Sequence, residues 1–269
     1  AATYGDGKSE ENLGRVLEEM GRPPVHVATK VRLLGDDLRN IPEAVQRSVE
    51  KSLARLRRPR VTLLQLHNSI TLQRGDEPTS ITPADVLETG GVAEAFDKLR
   101  QRGLVQHLGL TGIGHPAALH EVIEGGQFET MQTPYHLLNP SAGRNMPANF
   151  CETNYGNVIS ACARARMGVM AIRVFAGGAL VGNAPSPHTL KTPFFPLSLY
   201  ERDRKRAAQL QIQLGDQHGF ARLAIRFAIA HPHINSALIG FATVTQIDEA
   251  LAALADTSPL PDWNSAWLE

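Results

Sequence analysis

Short apolar stretches alternate with longer segments of helical period along almost the whole chain. The predicted strands are residues 25–31, 61–67, 107–111, 130–133, 169–172 and 236–239. The predicted helices are residues 9–20, 41–57, 85–102, 116–125, 155–166, 198–218, 221–231 and 244–255. Because each strand is followed by a helical segment, the pattern is typical of repeated strand–helix units around a buried parallel sheet.

Chain length separates the two architectures that such units can build, an open doubly wound sheet and a closed barrel. A (β/α)8 barrel takes about 250 residues, close to the 269 present, and no Pro/Gly-rich linker interrupts the chain. The sequence therefore predicts a single α/β domain over residues 1–269, a (β/α)8 TIM barrel. The opening residues, which lack an initiator Met, resemble a loop after a strand, so we expect the first strands and helix to precede Ala1.

The charge balance and the apolar runs exclude several classes of partner. Lys+Arg and Asp+Glu both number 27, so the formal net charge is zero. The chain therefore has no overall positive field that would attract a nucleic acid. The longest apolar runs fall short of the ~20 residues that span a bilayer, so we expect no membrane contact. Two cysteines, Cys151 and Cys162, are too few for a secreted disulfide framework and favour a cytoplasmic protein. The histidines have no metal-ligand spacing.

Three polar side chains stand where a parallel barrel builds its active site, at strand ends and in the loops that follow. Tyr4 lies in the opening loop, Lys30 ends the first predicted strand and His67 ends the second. A lysine buried at a strand end is costly unless it is paired or functional, whereas His67 alone fits a structural histidine and Tyr4 alone a loop aromatic. Together, Lys30 could lower the pKa of a phenol, ordinarily ~10, enough for proton donation, while His67 orients a substrate oxygen.

An ordered set of motifs resembles the aldo-keto reductase superfamily over nearly the whole chain. No single motif is specific, but their order and rough spacing together are. The motifs are Tyr4-Gly with Ser9-Glu-Glu-Asn-Leu-Gly, Ala28-Thr-Lys-Val, Ser52-Leu-Ala-Arg-Leu, Leu64-Gln-Leu-His, Leu99-Arg-Gln-Arg-Gly-Leu-Val-Gln-His-Leu-Gly-Leu, Gln132-Thr-Pro-Tyr, Gly168-Val-Met-Ala, Gly177-Gly-Ala-Leu and Ile239-Gly with Gln246-Ile-Asp-Glu.

The resemblance implies a (β/α)8 barrel that binds an extended nicotinamide cofactor and transfers a hydride to or from a carbonyl. It implies a catalytic tetrad of Asp, Tyr, Lys and His. Tyr4 would be the general acid/base, Lys30 the residue that tunes it and His67 the substrate orienter. The tetrad Asp would stand two residues before Ala1, outside this sequence; Asp6 lies on the wrong side of Tyr4 and is explained as a turn residue before Gly7.

The same resemblance implies a set of cofactor contacts. Gln132 matches the glutamine that binds the nicotinamide carboxamide, and Thr111-Gly112 replaces the usual Ser-Asn pair, keeping the hydroxyl and losing the amide. Ile172 stands where an aromatic often stacks on the ring, although it fits plain barrel core equally well. Arg173 would hold pyrophosphate or an anionic substrate, the alternative being a surface salt bridge. The remaining implied contacts are Phe175, Gly177, Gly240, Thr243 and Gln246.

The adenosine end of the cofactor is expected at the helix N-terminus that follows Gly240. The Lys and Arg with which many relatives hold a 2′-phosphate are absent there, yet Thr243, Gln246 and backbone amides could replace them, and relatives with this Gln are thought to use NADPH. The Thr-Gly pair resembles instead the sugar-oxidising branch that includes L-galactose dehydrogenases, which tends towards NAD. We expect NADP(H) to be slightly favoured over NAD(H), with no metal.

The leading hypothesis is an NAD(P)(H)-dependent oxidoreductase acting on a small carbonyl or sugar. The chief alternative is a cofactor-binding, weakly active regulatory subunit on the same barrel; a metal-dependent hydrolase is a third, remote one that lacks a His/Asp ligand set. We expect a monomer or weak homo-oligomer. Substrate choice is expected to depend on the loops 68–83, 137–154 and 180–196 and on the C-terminal segment 263–267.

Overall fold

The computed structural model describes residues 1–187, 190, 197–214 and 219–261. These residues form two compact units: residues 1–132 with 160–168, and the described part of residues 133–159 and 169–269. The C-terminal segment 263–267, the end of the predicted helix 198–218 and much of the loop 180–196 lie outside the described residues.

A parallel sheet organises the first unit. Its strands are β1 (Ala28–Val31), β2 (Val61–Leu66), β3 (Val105–Thr111) and β4 (Thr130–Pro134), of which β4 crosses the unit boundary. They pair in chain order, with Lys30 opposite Gln65 and Thr111 opposite Gln132. Since parallel strands end at the same edge, the polar strand ends of the sequence meet at that edge.

Amphipathic helices cover the strands of the first unit. They are α1 (Lys8–Glu19), α2 (Ile41–Leu56), α3 (Pro83–Leu87), α4 (Val92–Gln101) and α5 (Pro116–Glu124). In α2, Val45, Val49 and Leu56 recur at helical spacing and are almost wholly buried. Asn40 caps this helix by accepting a hydrogen bond from the Glu43 amide, and a proline stands in the first turn.

The prediction of one helix over residues 85–102 was wrong, because α3 and α4 are separate helices. A Thr82–Asp85 capping box starts α3, and Glu88 ends it in an extended conformation. Gly91 precedes α4 where a Cβ would lie 2.7 Å from the carbonyl oxygens of Asp85 and Glu88. This close approach leaves room only for glycine. It interrupts a segment whose apolar period alone predicts one continuous helix.

The second unit contains a shorter parallel pair and several helices. Strand β5 (Gly168–Ile172), whose first residue belongs to the first unit, pairs with β6 (Ser236–Ala237), so that Met170 lies opposite Ser236. After α6 (Val158–Arg164), which crosses the unit boundary, come a 3-10 helix (Ala176–Val181), α7 (Leu197–Leu214), α8 (Phe220–Ile229) and α9 (Val244–Ala255). Strands β1 and β6 are each shorter than predicted. Within the described ranges, no helix has both the length and the apolar character needed to cross a bilayer.

Candidate active site

A tight turn ahead of α1 presents Tyr4. The residues Gly5, Asp6 and Gly7 all have positive φ angles, of 60°, 50° and 91°. Gly7 packs against Arg55, and a Cβ there would lie 2.7 Å from the Arg55 Cδ atom. The conformation and the contact both favour glycine at this position, so the short loop holds Tyr4 in place although its side chain is 45% exposed.

Tyr4, Lys30 and His67 meet in one cluster at the carboxyl edge of the first unit's sheet. The Lys30 Nζ atom donates a hydrogen bond of 3.0 Å to the Tyr4 hydroxyl and lies 5.3 Å from the centre of its ring. The Tyr4 and His67 rings meet edge to face with centroids 5.6 Å apart. Lys30 is half-buried, whereas the sequence predicted a buried lysine. The structure therefore brings together the three residues singled out from the sequence.

A buried anchor holds β1 and the first two helices together beneath this cluster. The Glu10 carboxylate, 2% exposed, accepts a short hydrogen bond from the Thr29 hydroxyl and one of 2.7 Å from Arg55. Because Thr29 precedes Lys30, this contact fixes the strand that carries the lysine. Because the buried Glu10 carboxylate is paired in this way, its role is structural.

His67 is held in its neutral form. Burial, followed by the charges of Lys30 and Arg32, lowers the pKa of His67 to about 3. Its Nδ1 atom lies 3.4 Å from the Thr3 hydroxyl. A neutral imidazole at this position can hydrogen-bond a substrate oxygen at any pH near neutrality.

A buried cluster of side-chain amides and a hydroxyl lies at the carboxyl ends of β2, β3 and β4. Gln132 donates a hydrogen bond of 2.6 Å from Nε2 to the Gln65 Oε1 atom. The Gln132 Oε1, Thr111 Oγ1 and Gln65 Nε2 atoms are buried and have no hydrogen-bond partner among the described residues. One acceptor and one hydroxyl on directly paired residues are the groups that a carboxamide would satisfy, so the cluster fits a nicotinamide.

Gly112 packs closely against the Met131 side chain. A Cβ at this position would lie 2.5 Å from the Met131 sulfur, and the Gly112 amide donates a 2.6 Å hydrogen bond to the Gln132 carbonyl. A larger residue at this position would require the Met131 side chain to move, whereas the Gln132 carbonyl, 3.4 Å from such a Cβ, lies at ordinary contact distance.

A cavity of about 510 Å³ lies within the second unit. Of the residues expected to bind cofactor, it is lined by Arg173, Phe175, Gly177, Gly240 and Gln246. It is also lined by Arg222 and Glu249, which the sequence analysis did not select. Ile172 and Thr243 are not among its lining residues.

Left-handed backbone conformations recur in the turn after β5, which contributes Arg173 and Gly177 to the cavity lining. Arg173 has a φ of 58°, an uncommon value for a residue other than glycine, and Ala176 and Gly177 follow with 50° and 71°. Such conformations cost free energy and cluster at ligand sites. The turn after β5 thus has backbone conformations of the kind found at ligand sites.

Thr243 and Gln246 are occupied in capping α9. The Thr243 hydroxyl accepts a hydrogen bond from the Gln246 amide, and the Gln246 Oε1 atom accepts from the amides of Ala242, at 2.7 Å, and Thr243, at 3.3 Å. This capping box uses backbone donors that an anion would otherwise bind at the helix N-terminus.

Sequence comparison places the chain in a family. The sequence model of the Aldo/keto reductase family matches residues 1–265. The chain belongs to this family. It is 23% identical over 261 residues to the L-galactose dehydrogenase of Arabidopsis thaliana, a match that covers 96% of the chain and 73% of that protein.

Solved structures of this family share the fold. An aldo-keto reductase from Bacillus halodurans in its holo form matches with a TM-score of 0.68 and 19% identity, over 98% of this chain and 78% of that one. Its apo form matches with a TM-score of 0.64 and 18% identity, over 96% and 75%. The predicted fold class, the α/β barrel of an oxidoreductase family, is confirmed.

Two residues of the first unit that bear on the site were missed in the sequence. Gln65 interrupts an apolar strand, and a polar side chain in a buried strand was a usable signal. Arg32 follows Lys30 by two residues, and the period of two in extended chain puts both on one face. Among the described residues, no cluster of three or more His, Cys, Asp or Glu is placed to hold a metal ion.

Proposed function

We propose that the protein transfers a hydride reversibly between a nicotinamide cofactor, NAD(H) or NADP(H), and the carbonyl carbon of a small aldehyde, ketone or aldose. The observation that carries the proposal is the 3.0 Å hydrogen bond from Lys30 to the Tyr4 hydroxyl, beside the neutral ring of His67. A phenol, an ammonium and an imidazole in contact form a proton-transfer site rather than a packing cluster.

Each member of the cluster has a distinct role in the proposed reaction. Tyr4 gives a proton to the carbonyl oxygen during reduction and takes it from the hydroxyl during oxidation. The Lys30 ammonium stabilises the resulting phenolate through its hydrogen bond to the Tyr4 oxygen. His67 orients the substrate oxygen without competing for the proton, because its imidazole stays neutral.

The described residues also offer groups for the cofactor. Thr111 and Gln132 would bind the carboxamide through their unsatisfied buried atoms, while Arg173 and Arg222 would attract phosphate in the cavity of the second unit. When bound, the nicotinamide supplies or accepts the hydride. Ile172 remains proposed as a packing contact for the ring.

The contacts at the start of α9 favour NAD(H). The sequence offered Gln246 and backbone amides as ligands for a 2′-phosphate, but these groups bind one another in the capping box. Glu249 adds a negative charge to the cavity lining that would repel such a phosphate. We therefore move our proposal from a slight preference for NADP(H) to one for NAD(H), which titration of both reduced cofactors by fluorescence would measure.

The alternative of a cofactor-binding regulatory subunit draws no support from these contacts, since the three catalytic candidates retain their mutual geometry. A single-domain protein acting in the cytoplasm as a monomer or weak homo-oligomer stays part of the proposal. The L-galactose dehydrogenase match supports a sugar among the candidate substrates.

Tyr4→Phe tests the proton-donor role directly. The variant keeps the ring contact with His67 and removes the hydroxyl that Lys30 binds. We expect kcat to fall by about a hundredfold or more, with cofactor affinity nearly unchanged. Tyr135→Phe is the matched control, because Tyr135 stacks on Phe227 through its ring. Wild-type turnover in Tyr4→Phe would refute the assignment.

A further inference from the structure

Arg32 lies on the same face of the chain as Lys30. Thr29 and Val31, 2% and 1% exposed, alternate with the half-buried Lys30 and Arg32. The Asn68 side chain holds the backbone just beyond, accepting from the Leu33 amide at 2.9 Å and donating to its carbonyl at 2.8 Å. Because alternate residues of extended chain share a face, the guanidinium is directed to the side occupied by Tyr4 and His67.

Arg32 interacts electrostatically with two of the catalytic candidates. The charges of Lys30 and Arg32 both lower the pKa of His67, and the interaction with Tyr4 favours the charged form of Arg32. Burial lowers the pKa of Arg32 itself. The site thus contains two cations near the Tyr4 phenol. The proposed proton transfer requires only Lys30 and leaves Arg32 without a role in it.

Three acidic residues, two that follow Arg32 in the chain and one that contacts β1, are engaged elsewhere. Asp36 pairs with Arg39 at 3.5 Å, and Asp37 pairs with Arg47 at 2.9 Å. Glu10 is bound by Thr29 and Arg55. These three carboxylates are therefore bound to groups other than Arg32.

A partly desolvated guanidinium attracts anionic oxygens, which it binds in a planar, two-pronged geometry that a neutral hydroxyl cannot match. We propose that the substrate carries an anionic oxygen group, a carboxylate or a phosphate, close to its reacting carbonyl, and that Arg32 binds this group. The inference rests on the proposed hydride transfer and names the substrate class for it. Arg32 would then select substrates, whereas Tyr4 and Lys30 act on the carbonyl oxygen.

The test compares matched pairs of aldehydes that differ in the anionic group. Succinic semialdehyde against butyraldehyde reports on a carboxylate, and glyceraldehyde 3-phosphate against glyceraldehyde reports on a phosphate. We expect a higher kcat/KM for the anionic member of at least one pair. In Arg32→Gln the ratio of kcat/KM for the anionic aldehyde to kcat/KM for the neutral one should fall by about tenfold or more. This is the loss expected for a hydrogen bond to a charged group, and it should arise mainly from a higher KM for the anionic aldehyde. Arg32→Lys should restore part of this ratio.

A surface arginine provides the control. Arg39→Gln removes an equal charge seven residues further on, from a side chain that is 84% exposed, and should leave the ratio and the turnover at wild-type values. Equal kcat/KM within both pairs, or a parallel loss for charged and neutral aldehydes in Arg32→Gln, would overturn the inference. Continued turnover of neutral aldehydes would leave the proposed function intact.

Calorimetry separates failure of the inference from failure of the proposed function. If no aldehyde reacts with either nicotinamide, the proposed function fails, and titration of the protein with succinate and with inorganic phosphate still tests Arg32. Binding of either anion that is lost in Arg32→Gln and kept in Arg39→Gln supports the anion site. Binding of neither anion, or binding that Arg32→Gln leaves unchanged, refutes it.

Discussion

Single residues at the carboxyl ends of the strands give the site its chemistry. Thr111, Gln132 and Gln65 are all buried, and a buried polar atom without a partner is destabilising by about 1–3 kcal/mol. The unsatisfied Thr111 hydroxyl and Gln132 oxygen are therefore retained at a cost that packing alone does not explain. A ligand that satisfies both atoms accounts for them.

Thr111→Val separates this role from a structural one. Valine has the same shape and lacks the unsatisfied hydroxyl, so we expect the free energy of unfolding to stay level or rise by about 1 kcal/mol, while the dissociation constant of the nicotinamide cofactor increases. Urea denaturation and cofactor titration measure the two effects. Thr29→Val is the control: its hydroxyl binds Glu10, so that variant should lose stability. Loss of stability in Thr111→Val with unchanged cofactor binding would contradict the assignment.

At the scale of elements, the segment after β2 connects the strand ends. Asn68, fully buried, donates a 2.6 Å hydrogen bond to the Thr79 carbonyl besides its two bonds to Leu33. Ile70 forms bridges with Ile81 and Gly114, beyond β3. The loop 68–83, expected from sequence to be irregular, is therefore an ordered clamp that ties β1, which carries Lys30, to β2 and β3.

Asn68→Ala should weaken this clamp. It leaves the Leu33 amide and carbonyl without their side-chain partner, so we expect a loss of about 2–4 kcal/mol in the free energy of unfolding. Because Lys30 lies on β1 and His67 directly follows β2, kcat should also fall. Asn40→Ala, which removes only the cap of α2, should cost about 1 kcal/mol and leave kcat unchanged. Equal effects on kcat in the two variants would exclude a specific role for the clamp.

For the molecule as a whole, buried histidines make stability depend on pH although the net charge is zero. Burial, together with the charges of Arg173 and Arg206, lowers the pKa of His136 from 6.5 to about 3. The unfolded chain therefore binds a proton below pH 6.5 that the folded chain refuses, so stability present above that pH is lost as the pH falls. Burial raises the pKa of Asp203, so the titration of this carboxyl changes the free energy of unfolding in the opposite direction.

His136→Gln should flatten this dependence. Between about pH 6 and pH 4, one such histidine contributes a slope of about 1.4 kcal/mol per pH unit to the free energy of unfolding. We expect urea denaturation at several pH values to show a slope smaller by that amount in the variant, whatever its stability at neutral pH. Equal slopes in wild type and variant would mean that His136 takes up protons freely in the folded protein.

The amino-acid sequence determined the order of strands and helices and the family, and it singled out Tyr4, Lys30 and His67 as catalytic candidates. These features depend on local sequence. The period of the apolar residues determines whether a segment is a helix or a strand, and the last residue of a parallel strand lies at the edge of the sheet whatever the positions of the other strands. Helix ends agree with prediction to within a few residues where caps or prolines mark them, as at Pro42 and Pro116. The broken helix at Gly91 is an exception, since its cause is a close backbone approach.

Only the tertiary structure decided which side chains lose contact with water and which charges act on one another. Gln65 meets Gln132 across 67 residues of sequence, and the depressed pKa of His67 depends on burial and on cations from another strand. The roles proposed for Arg32 and Asn68 likewise depend on neighbours distant in the chain. Burial and Coulomb interactions depend on distance in space, which the local periodicity of a sequence does not contain.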